Sequence, residues 1–305
     1  MRHWLRRLGV TFATFVVAVT VGSLVYNAAT SGRDVAAAKL YSGPWAEVDG
    51  TQLAYRRWGT HGAPIVLLGG FIEPSWVWHE VGPILGRTHR VYALDLPPFG
   101  YSQRRGPYTL ARWTQLVEGF DRRLGLRRVV VVGHSLGAAV AVSVATASPN
   151  SVQAIVLLDG DALPGGGGAA WLSHFLVPPW FTSIYRIATG WNWLFRRGLE
   201  SAWGSPNFPA SFIAEFERPF RVSGTASAST SLLSHGIQGV SAATIARVSV
   251  PSVVAWGSRD TVDSVAAGRR TAALMHSRFV EIPNAGHLSM LAQPNAVAHV
   301  IETAP

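Results

Sequence analysis

A serine flanked by glycines is the first feature of this chain that could do chemistry. Residues 133–137 have the sequence Gly-His-Ser-Leu-Gly, after a run of valines at 129–132 and before a run of small apolar residues at 138–142. This order predicts a strand, a tight turn and a helix, with Ser135 at the apex. A serine hydroxyl is a weak nucleophile, so the turn must present it to a base. We predict Ser135 as the nucleophile; a structural turn that happens to contain serine is the alternative.

A nucleophilic serine needs a base and an acid, and this arrangement predicts them downstream in the order acid, then histidine. Asp260 follows a buried strand predicted at 250–257, and His287 follows a short strand predicted at 278–282 and a glycine-containing loop. In an open parallel sheet such loops meet at the carboxyl ends of the strands. We expect Asp260 to orient His287, and His287 to take the Ser135 proton and return it to the leaving group.

Other acids and histidines are available. Asp159 and Asp161 end the strand predicted at 154–158, and Asp263 stands three residues after Asp260, where it suits the start of a helix. The chain has 10 histidines, and a surface or capping role is the alternative for any one of them.

Two backbone N–H groups are predicted to hold the negatively charged oxygen that forms during acyl transfer. One belongs to Leu136, directly after the nucleophile, and the other to Phe71, in a turn after the strand predicted at 63–68. The alternative is that Gly69 and Gly70, before Phe71, form only a tight turn.

Together these segments resemble the α/β-hydrolase fold superfamily, in its serine-nucleophile branch with a helical cap, which includes esterases and lipases. The resemblance covers roughly residues 45 to 303 and rests on residues 69–71, 95–102, 133–137, 257–260 and 286–287. It implies an α/β fold with a mostly parallel central sheet, helices on both faces, and a helical cap inserted after strand six. Gly69 stands where the family commonly has histidine, and Pro98 where it commonly has glycine.

The expected domain division follows from this resemblance and from composition. Residues 45–159 and 243–305 are expected to form the core, and 160–242, which breaks the strand-helix rhythm and is rich in aromatic residues, the cap or lid. The tryptophans predicted to line the substrate pocket are Trp76, Trp78, Trp171 and Trp180. The alternatives for the aromatic residues are an ordinary packed subdomain or contact with a lipid interface.

The amino terminus predicts a membrane segment. Residues 2–7 are basic in character and residues 8–26 carry no charge. This uncharged segment is long enough to cross a bilayer. We interpret residues 1–29 as an anchor or uncleaved signal and 30–44 as a linker. The basic flank places the amino terminus in the cytoplasm and the catalytic domain outside. Cleavage of the segment would instead give a secreted enzyme.

Composition limits the size of the domain and the cofactors and partners that we expect. The 305 residues suit one sizeable α/β domain with additions, and the absence of cysteine excludes disulfides and thiolate metal sites. The sequence has neither a metalloprotease nor a P-loop motif, so we predict no metal and no other cofactor. The net charge is +9, and the basic residues are scattered along the chain, many of them in arginine pairs. This distribution favours an anionic membrane surface over nucleic acid as a partner.

These features predict a membrane-anchored serine hydrolase that cleaves a small apolar or lipid-like ester through an acyl-enzyme on Ser135. The first alternative is cleavage of another bond by the same residues: a thioester, an amide or a carbon–carbon bond beside a ketone. A binding module that keeps the fold without catalysis is the alternative from a different class. The sequence leaves the oligomeric state open.

Overall fold

An eight-stranded sheet forms the centre of the molecule in the computed structural model, which describes residues 2–164, 179–190, 192–204, 207–234, 236 and 238–304. The strands follow the spatial order β1-β2-β4-β3-β5-β6-β7-β8. The first three strands in this order pair antiparallel, and all later pairs are parallel. The strands are β1 Trp45–Val48, β2 Thr51–Trp58, β3 Pro64–Leu68, β4 Arg90–Leu94, β5 Val129–His134, β6 Val152–Leu158, β7 Ser252–Gly257 and β8 Arg278–Ile282.

Thirteen helices are found within the described residues. Before Ser135 these are α1 Arg2–Thr30, α2 Ala37–Leu40, α3 Val81–Leu85 and α4 Leu110–Arg123; α5 Leu136–Ala147 follows Ser135. Between β6 and β7 lie α6 Trp180–Gly190, α7 Asn192–Trp203, α8 Ala210–Glu217, α9 Thr225–Ser234 and α10 Ala242–Ile245. The carboxyl-terminal part contains α11 Val265–Leu274, α12 Ser289–Ala292 and α13 Pro294–Glu302.

The central strands are apolar on both faces, and this divides the core in two. Side chains alternate along a strand, so Val66 and Leu68 pack on the face covered by α4, α5 and α11, whereas Ile65 and Leu67 pack on the face covered by α3, α12 and α13. Strands buried on both faces are typical of parallel sheets with helices on each side. The predicted mostly parallel sheet with helices on both faces is confirmed.

Parallel pairing brings the carboxyl ends of β3, β5, β6, β7 and β8 to one edge of the sheet. Leu68 is in register with Gly133, and His134 with Leu158. Leu158 in turn pairs with Ala255. The turns that follow these strands therefore share one edge, and they carry the residues predicted to act in catalysis.

The amino-terminal helix α1 stands apart from the sheet and packs along α6. The most apolar 18-residue stretch of its segment Arg6–Thr30 has a mean hydropathy of 2.1, and the segment is long enough to cross a bilayer, a property that an amino-terminal signal sequence would share. The chain between β6 and β7 is helical wherever it forms regular structure in the described residues. The division at residues 160 and 242 stays a prediction, and Trp171 lies outside the described residues.

Candidate active site

Ser135 occupies a strained turn between β5 and α5. Its backbone angles are φ 50° and ψ −119°, a conformation that a serine rarely adopts. The turn closes tightly because both glycines of the motif lack a side chain: a Cβ on Gly133 would lie 2.2 Å from the carbonyl oxygen of Gly137. A Cβ on Gly137 would lie 2.8 Å from the carbonyl oxygen of Gly69. This packing holds Ser135 at the end of β5.

His287 and Asp260 are joined by a hydrogen bond. The His287 Nδ1 atom lies 2.8 Å from Asp260 Oδ2, and the His287 residue is 5% exposed. The other carboxylate oxygen, Asp260 Oδ1, accepts the backbone N–H groups of Val262 at 2.8 Å and Asp263 at 3.0 Å, which fixes the carboxylate. A proton on Nδ1, donated to Asp260, leaves Nε2 as the basic nitrogen. Both His287 and Ser135 line one cavity.

The other aspartates considered from the sequence have different surroundings. Asp159 is fully buried, and its oxygens accept the Gly257 N–H at 2.6 Å and the Ser289 hydroxyl. Asp161 and Asp263 line the cavity, and burial raises the pKa of Asp263. Of these four aspartates, Asp260 alone hydrogen-bonds His287 within the described part of the chain.

Phe71 and Leu136, the residues predicted to supply the oxyanion hole, both line the cavity beside Ser135. Leu136 is the first residue of α5, so its N–H has no partner within the helix. Neither of the two N–H groups finds an acceptor among the described residues. Both donors are therefore free for an oxyanion.

The cavity beside Ser135 has a volume of about 820 Å³, and most of its wall is apolar. The core contributes the loops after β3, β6, β7 and β8, together with Ser135 and the start of α5. The remaining wall comes from other residues between β6 and β7, most of them helical. The apolar side chains of this wall include Ile72, Leu136, Leu163, Ala188, Phe195, Leu199, Phe216, Phe220 and Leu233. The volume is sufficient for a ligand of drug size.

The structure corrects the prediction that Trp76, Trp78 and Trp180 line this pocket, because none of the three reaches the cavity wall. Trp76 and Trp78 belong to the apolar core on the α3 and α13 face of the sheet. The indole nitrogen of Trp180 donates instead to Thr20 Oγ1 of α1 at 3.0 Å. Aromatic composition did not reveal which way these side chains face.

A buried group of charged side chains lies directly behind Ser135 and was missed in the sequence. His134 Nδ1 lies 2.8 Å from Glu73 Oε2, and His134 Nε2 lies 2.7 Å from the backbone oxygen of His287. Asp159 Oδ2 is 3.8 Å from the same Nε2. Glu73 Oε2 also accepts the N–H of Gly70, before Phe71, at 2.6 Å. The group thus connects the turns that carry the nucleophile, the base and an oxyanion donor.

Both ring nitrogens of His134 face oxygen atoms, an arrangement that the doubly protonated imidazolium satisfies. Burial alone would lower the pKa of His134, but the charges of Glu73 and Asp159 and its hydrogen bonds raise it to about 9. Burial raises the pKa of Asp159 to about 6. The signal in the sequence was a glutamate three residues after Gly70 in an apolar segment, and a histidine before the serine. No group of three or more His, Cys, Asp or Glu side chains in the described residues is arranged so that it could hold a metal ion.

Comparisons with known proteins identify the fold family. The sequence profile of the α/β hydrolase fold matches residues 63–294. The "Uncharacterized hydrolase YugF" of Bacillus subtilis (strain 168) is 26% identical over 263 residues, which are 83% of this chain and 94% of that protein.

Two solved structures share the fold at low sequence identity. A membrane phospholipase A superposes with a TM-score of 0.69 at 21% identity, covering 99% of this chain and 97% of its own. A meta-cleavage product hydrolase superposes with a TM-score of 0.70 at 18% identity, covering 85% and 97%. From the profile match over most of its length, together with the sheet order and the serine elbow, the chain belongs to the α/β-hydrolase fold family.

Proposed function

We propose that this protein is a serine hydrolase that cleaves carboxylic esters of apolar or lipid-like character through an acyl-enzyme on Ser135. The observation that carries the proposal is the hydrogen bond between His287 and Asp260 on the same cavity as a strained serine. An aspartate on Nδ1 leaves Nε2 free to act as the general base.

Two acyl-transfer steps follow from the proposed roles. In the first, Ser135 Oγ attacks the ester carbonyl while His287 takes its proton and then gives it to the leaving alcohol. The N–H groups of Phe71 and Leu136 stabilise the oxyanion. In the second, His287 removes a proton from water, which attacks the acyl-enzyme, and the proton returns to Ser135 as the acid leaves. The balance is one ester and one water to one acid and one alcohol.

The apolar wall of the cavity supports an apolar substrate. An acyl chain that packs against Leu163, Phe195 and Phe220 removes apolar surface from water. This stabilises the complex by about 25 cal/mol for each Å² removed. The structural similarity to a membrane phospholipase A supports the same class, since ester bonds of lipids join long acyl chains to a polar alcohol.

The second candidate function is hydrolysis of another acyl bond or of a carbon–carbon bond beside a ketone. The structural similarity to a meta-cleavage product hydrolase favours this alternative at the level of the fold. The same nucleophile, base and oxyanion donors would serve both reactions, and the shape of the pocket would separate the leaving groups.

We also propose that residues 160–242 act as a cap over Ser135 and that α1 remains attached as a single membrane anchor with the catalytic domain outside. Support for retention of α1 comes from its side toward α6: Thr30 is buried, and Thr20, Ser23 and Asn27 are half-buried. Cleavage of α1 would remove these hydrogen-bond partners of α6.

The test is ester turnover by the full chain in detergent micelles, on aryl esters of increasing acyl length. We expect Ser135→Ala to abolish turnover with the fold retained, and Ser151→Ala, at an exposed serine, to leave it unchanged. Labelling by a serine-directed phosphonate without turnover would favour the second candidate function. A folded protein that shows neither would contradict a hydrolase role.

A further inference from the structure

One side of helix α6 is joined to the amino-terminal helix α1 by a ladder of polar contacts. Trp180 Nε1 donates to Thr20 Oγ1 at 3.0 Å. Ser183 Oγ lies 3.2 Å from Asn27 Oδ1. Near the end of the ladder, Arg186 Nη1 donates to the carbonyl oxygen of Thr30 at 2.7 Å and Nη2 pairs with Asp34 at 2.8 Å. The start of α6 contacts Thr20 and Asn27 and its later residue Arg186 contacts Thr30 and Asp34, so the two helices run in the same direction.

This ladder sets the depth of α6 in a membrane crossed by α1. About 20 helical residues span the hydrocarbon layer, so a span that starts after Arg7 ends near Asn27. Thr20 then lies inside the outer leaflet, roughly 15 Å along the helix axis from Thr30. The Trp180 indole therefore lies in the outer leaflet, and α6 begins at the edge of the hydrocarbon layer, because Asn27 Nδ2 donates to the carbonyl oxygen of Pro179 at 2.9 Å. Arg186 lies at the level of the lipid headgroups. Ile184, also on α6, is 58% exposed, as a lipid-facing side chain would be.

Another side of α6 faces the interior of the protein. Tyr185 and Thr189 line the cavity of Ser135 and also a second cavity of about 630 Å³, and Phe220 is shared in the same way. The second cavity lies beside the residues that follow α1, including Asp34. The two cavities are thus neighbours, and the outer one lies where a membrane-spanning α1 would leave the bilayer.

The outer cavity carries charges of both signs. The exposed residues Arg218 and Arg221 line it. Arg218 pairs with Glu215 at 3.2 Å, and Arg221 makes no side-chain hydrogen bond or ion pair in the described part of the chain. Glu217 also lines it, and its Oε1 atom is buried with no hydrogen-bond partner among the described residues. Guanidinium groups bind phosphate oxygens, and a half-buried carboxylate with one buried oxygen unpaired suits a cationic group. The set complements a phosphate linked to an ammonium group.

We propose that the enzyme takes a glycerophospholipid directly from the outer leaflet, with its zwitterionic phosphate–ammonium headgroup in the outer cavity and an acyl chain in the cavity of Ser135. The inference rests on the proposed hydrolase function. Attack by Ser135 on the carboxylic ester releases the lysophospholipid as the alcohol, which takes the proton from His287. Water then releases the fatty acid and restores Ser135.

The depth of α6 is tested without catalysis. The chain has no cysteine, so Ile184→Cys in the full chain creates a single thiol for a spin label. In bilayer nanodiscs we expect oxygen to relax this label more strongly than a water-soluble nickel chelate does, because Ile184 lies at the edge of the hydrocarbon layer. A label on Arg270→Cys, at an exposed position of α11, should behave in the opposite way. An Ile184 label that is as accessible to nickel as the Arg270 label would overturn the proposed immersion.

The headgroup site is tested with vesicles of phosphatidylethanolamine or phosphatidylglycerol against a soluble aryl ester. We expect Arg218→Ala/Arg221→Ala to lower hydrolysis of both lipids at least tenfold and aryl-ester turnover less than twofold. Glu217→Gln should remove a preference for phosphatidylethanolamine, because phosphatidylglycerol has no ammonium group. Arg270→Ala is the matched control and should change none of these rates.

Three results would decide against the headgroup site. Equal loss on lipid and aryl ester would show a structural defect. Strong inhibition by soluble glycerophosphoethanolamine, together with a water-exposed Ile184 label, would assign the cavity to a soluble phosphate ester. Aryl-ester turnover without vesicle hydrolysis would overturn the lipid proposal and leave the hydrolase function standing. If neither substrate were cleaved the hydrolase function itself would fail, and the label would still decide where α6 lies.

Discussion

Two polar networks in this molecule join segments that are far apart in the chain, and they differ in how completely water is excluded. Behind Ser135, His134 is 0% and Glu73 6% exposed, and their charges meet inside the core. Between α1 and α6, Ser183 is buried, but Arg186 pairs with Asp34 at the edge of the molecule, where their side chains are 14% and 32% exposed. One network is sealed, and the other borders water or lipid.

This difference predicts where the molecule tolerates change. Removing one partner from a buried ion pair leaves an uncompensated charge and costs about 3–5 kcal/mol, whereas a pair that water can reach contributes about 1 kcal/mol or less. We therefore expect substitutions behind Ser135 to damage stability and chemistry together. Substitutions between α1 and α6 should act on access of the substrate.

The largest expected effect is at the acid. Asp260→Asn should lower kcat about 10⁴-fold, because His287 would lose the carboxylate that sets its tautomer. Asp263→Asn, a neighbouring carboxylate without that hydrogen bond, should stay within about fivefold. Steady-state kinetics on an aryl ester measures both. If Asp159→Asn or Asp161→Asn damaged kcat in a folded protein and Asp260→Asn did not, the assignment of the acid would be wrong.

The second-largest effect that we expect is on the stability contributed by the buried pair of Glu73 and His134. Glu73→Gln removes the charge that faces the His134 imidazolium, and we expect the free energy of unfolding to fall by about 3–5 kcal/mol. Guanidinium unfolding followed by tryptophan fluorescence measures it. Glu302→Gln, at an exposed glutamate of α13, should change it by less than about 0.5 kcal/mol. Equal stability of the two variants would show that the sealed network contributes little.

The dependence of stability on pH tests the charge of the same histidine. The pKa of His134 is about 9 in the folded protein against 6.5 unfolded, so the native state holds more protons between these values. Stability should fall by up to about 3 kcal/mol as the pH rises from 6.5 to 9. His134→Gln should flatten this slope, and His299→Gln, at an exposed histidine, should keep it. A wild-type profile that is flat across this range would contradict the imidazolium.

The smallest effect is expected between α1 and α6. Ser183→Ala removes one hydroxyl that contacts Asn27, and we expect a loss of about 1 kcal/mol with aryl-ester turnover unchanged. The exposed Ser211→Ala on α8 is the control. A loss of kcat on the soluble ester with Ser183→Ala would show that this face also shapes the catalytic site, and the contrast between the two networks would fail.

Much of the fold could be predicted from local patterns. The valine run before Ser135, the glycines around it and the apolar segments before Asp260 and His287 are local in sequence, and strand and turn preferences act over a few residues. Parallel pairing then places the ends of these strands at one edge, so a few local predictions were enough to bring the site together.

The rest depended on contacts between distant segments. The pairing of Glu73 with His134 joins residues 61 positions apart, and the bond from Trp180 to Thr20 joins residues 160 apart. No local preference encodes such a partner, since an aromatic or charged side chain suits several environments until packing chooses one. Local patterns in the sequence were enough to predict the fold family, the turn at Ser135 and the order of acid and base. The burial of Glu73 against His134 and the contact of Trp180 with α1 follow from three-dimensional packing, because each joins segments that no local pattern relates.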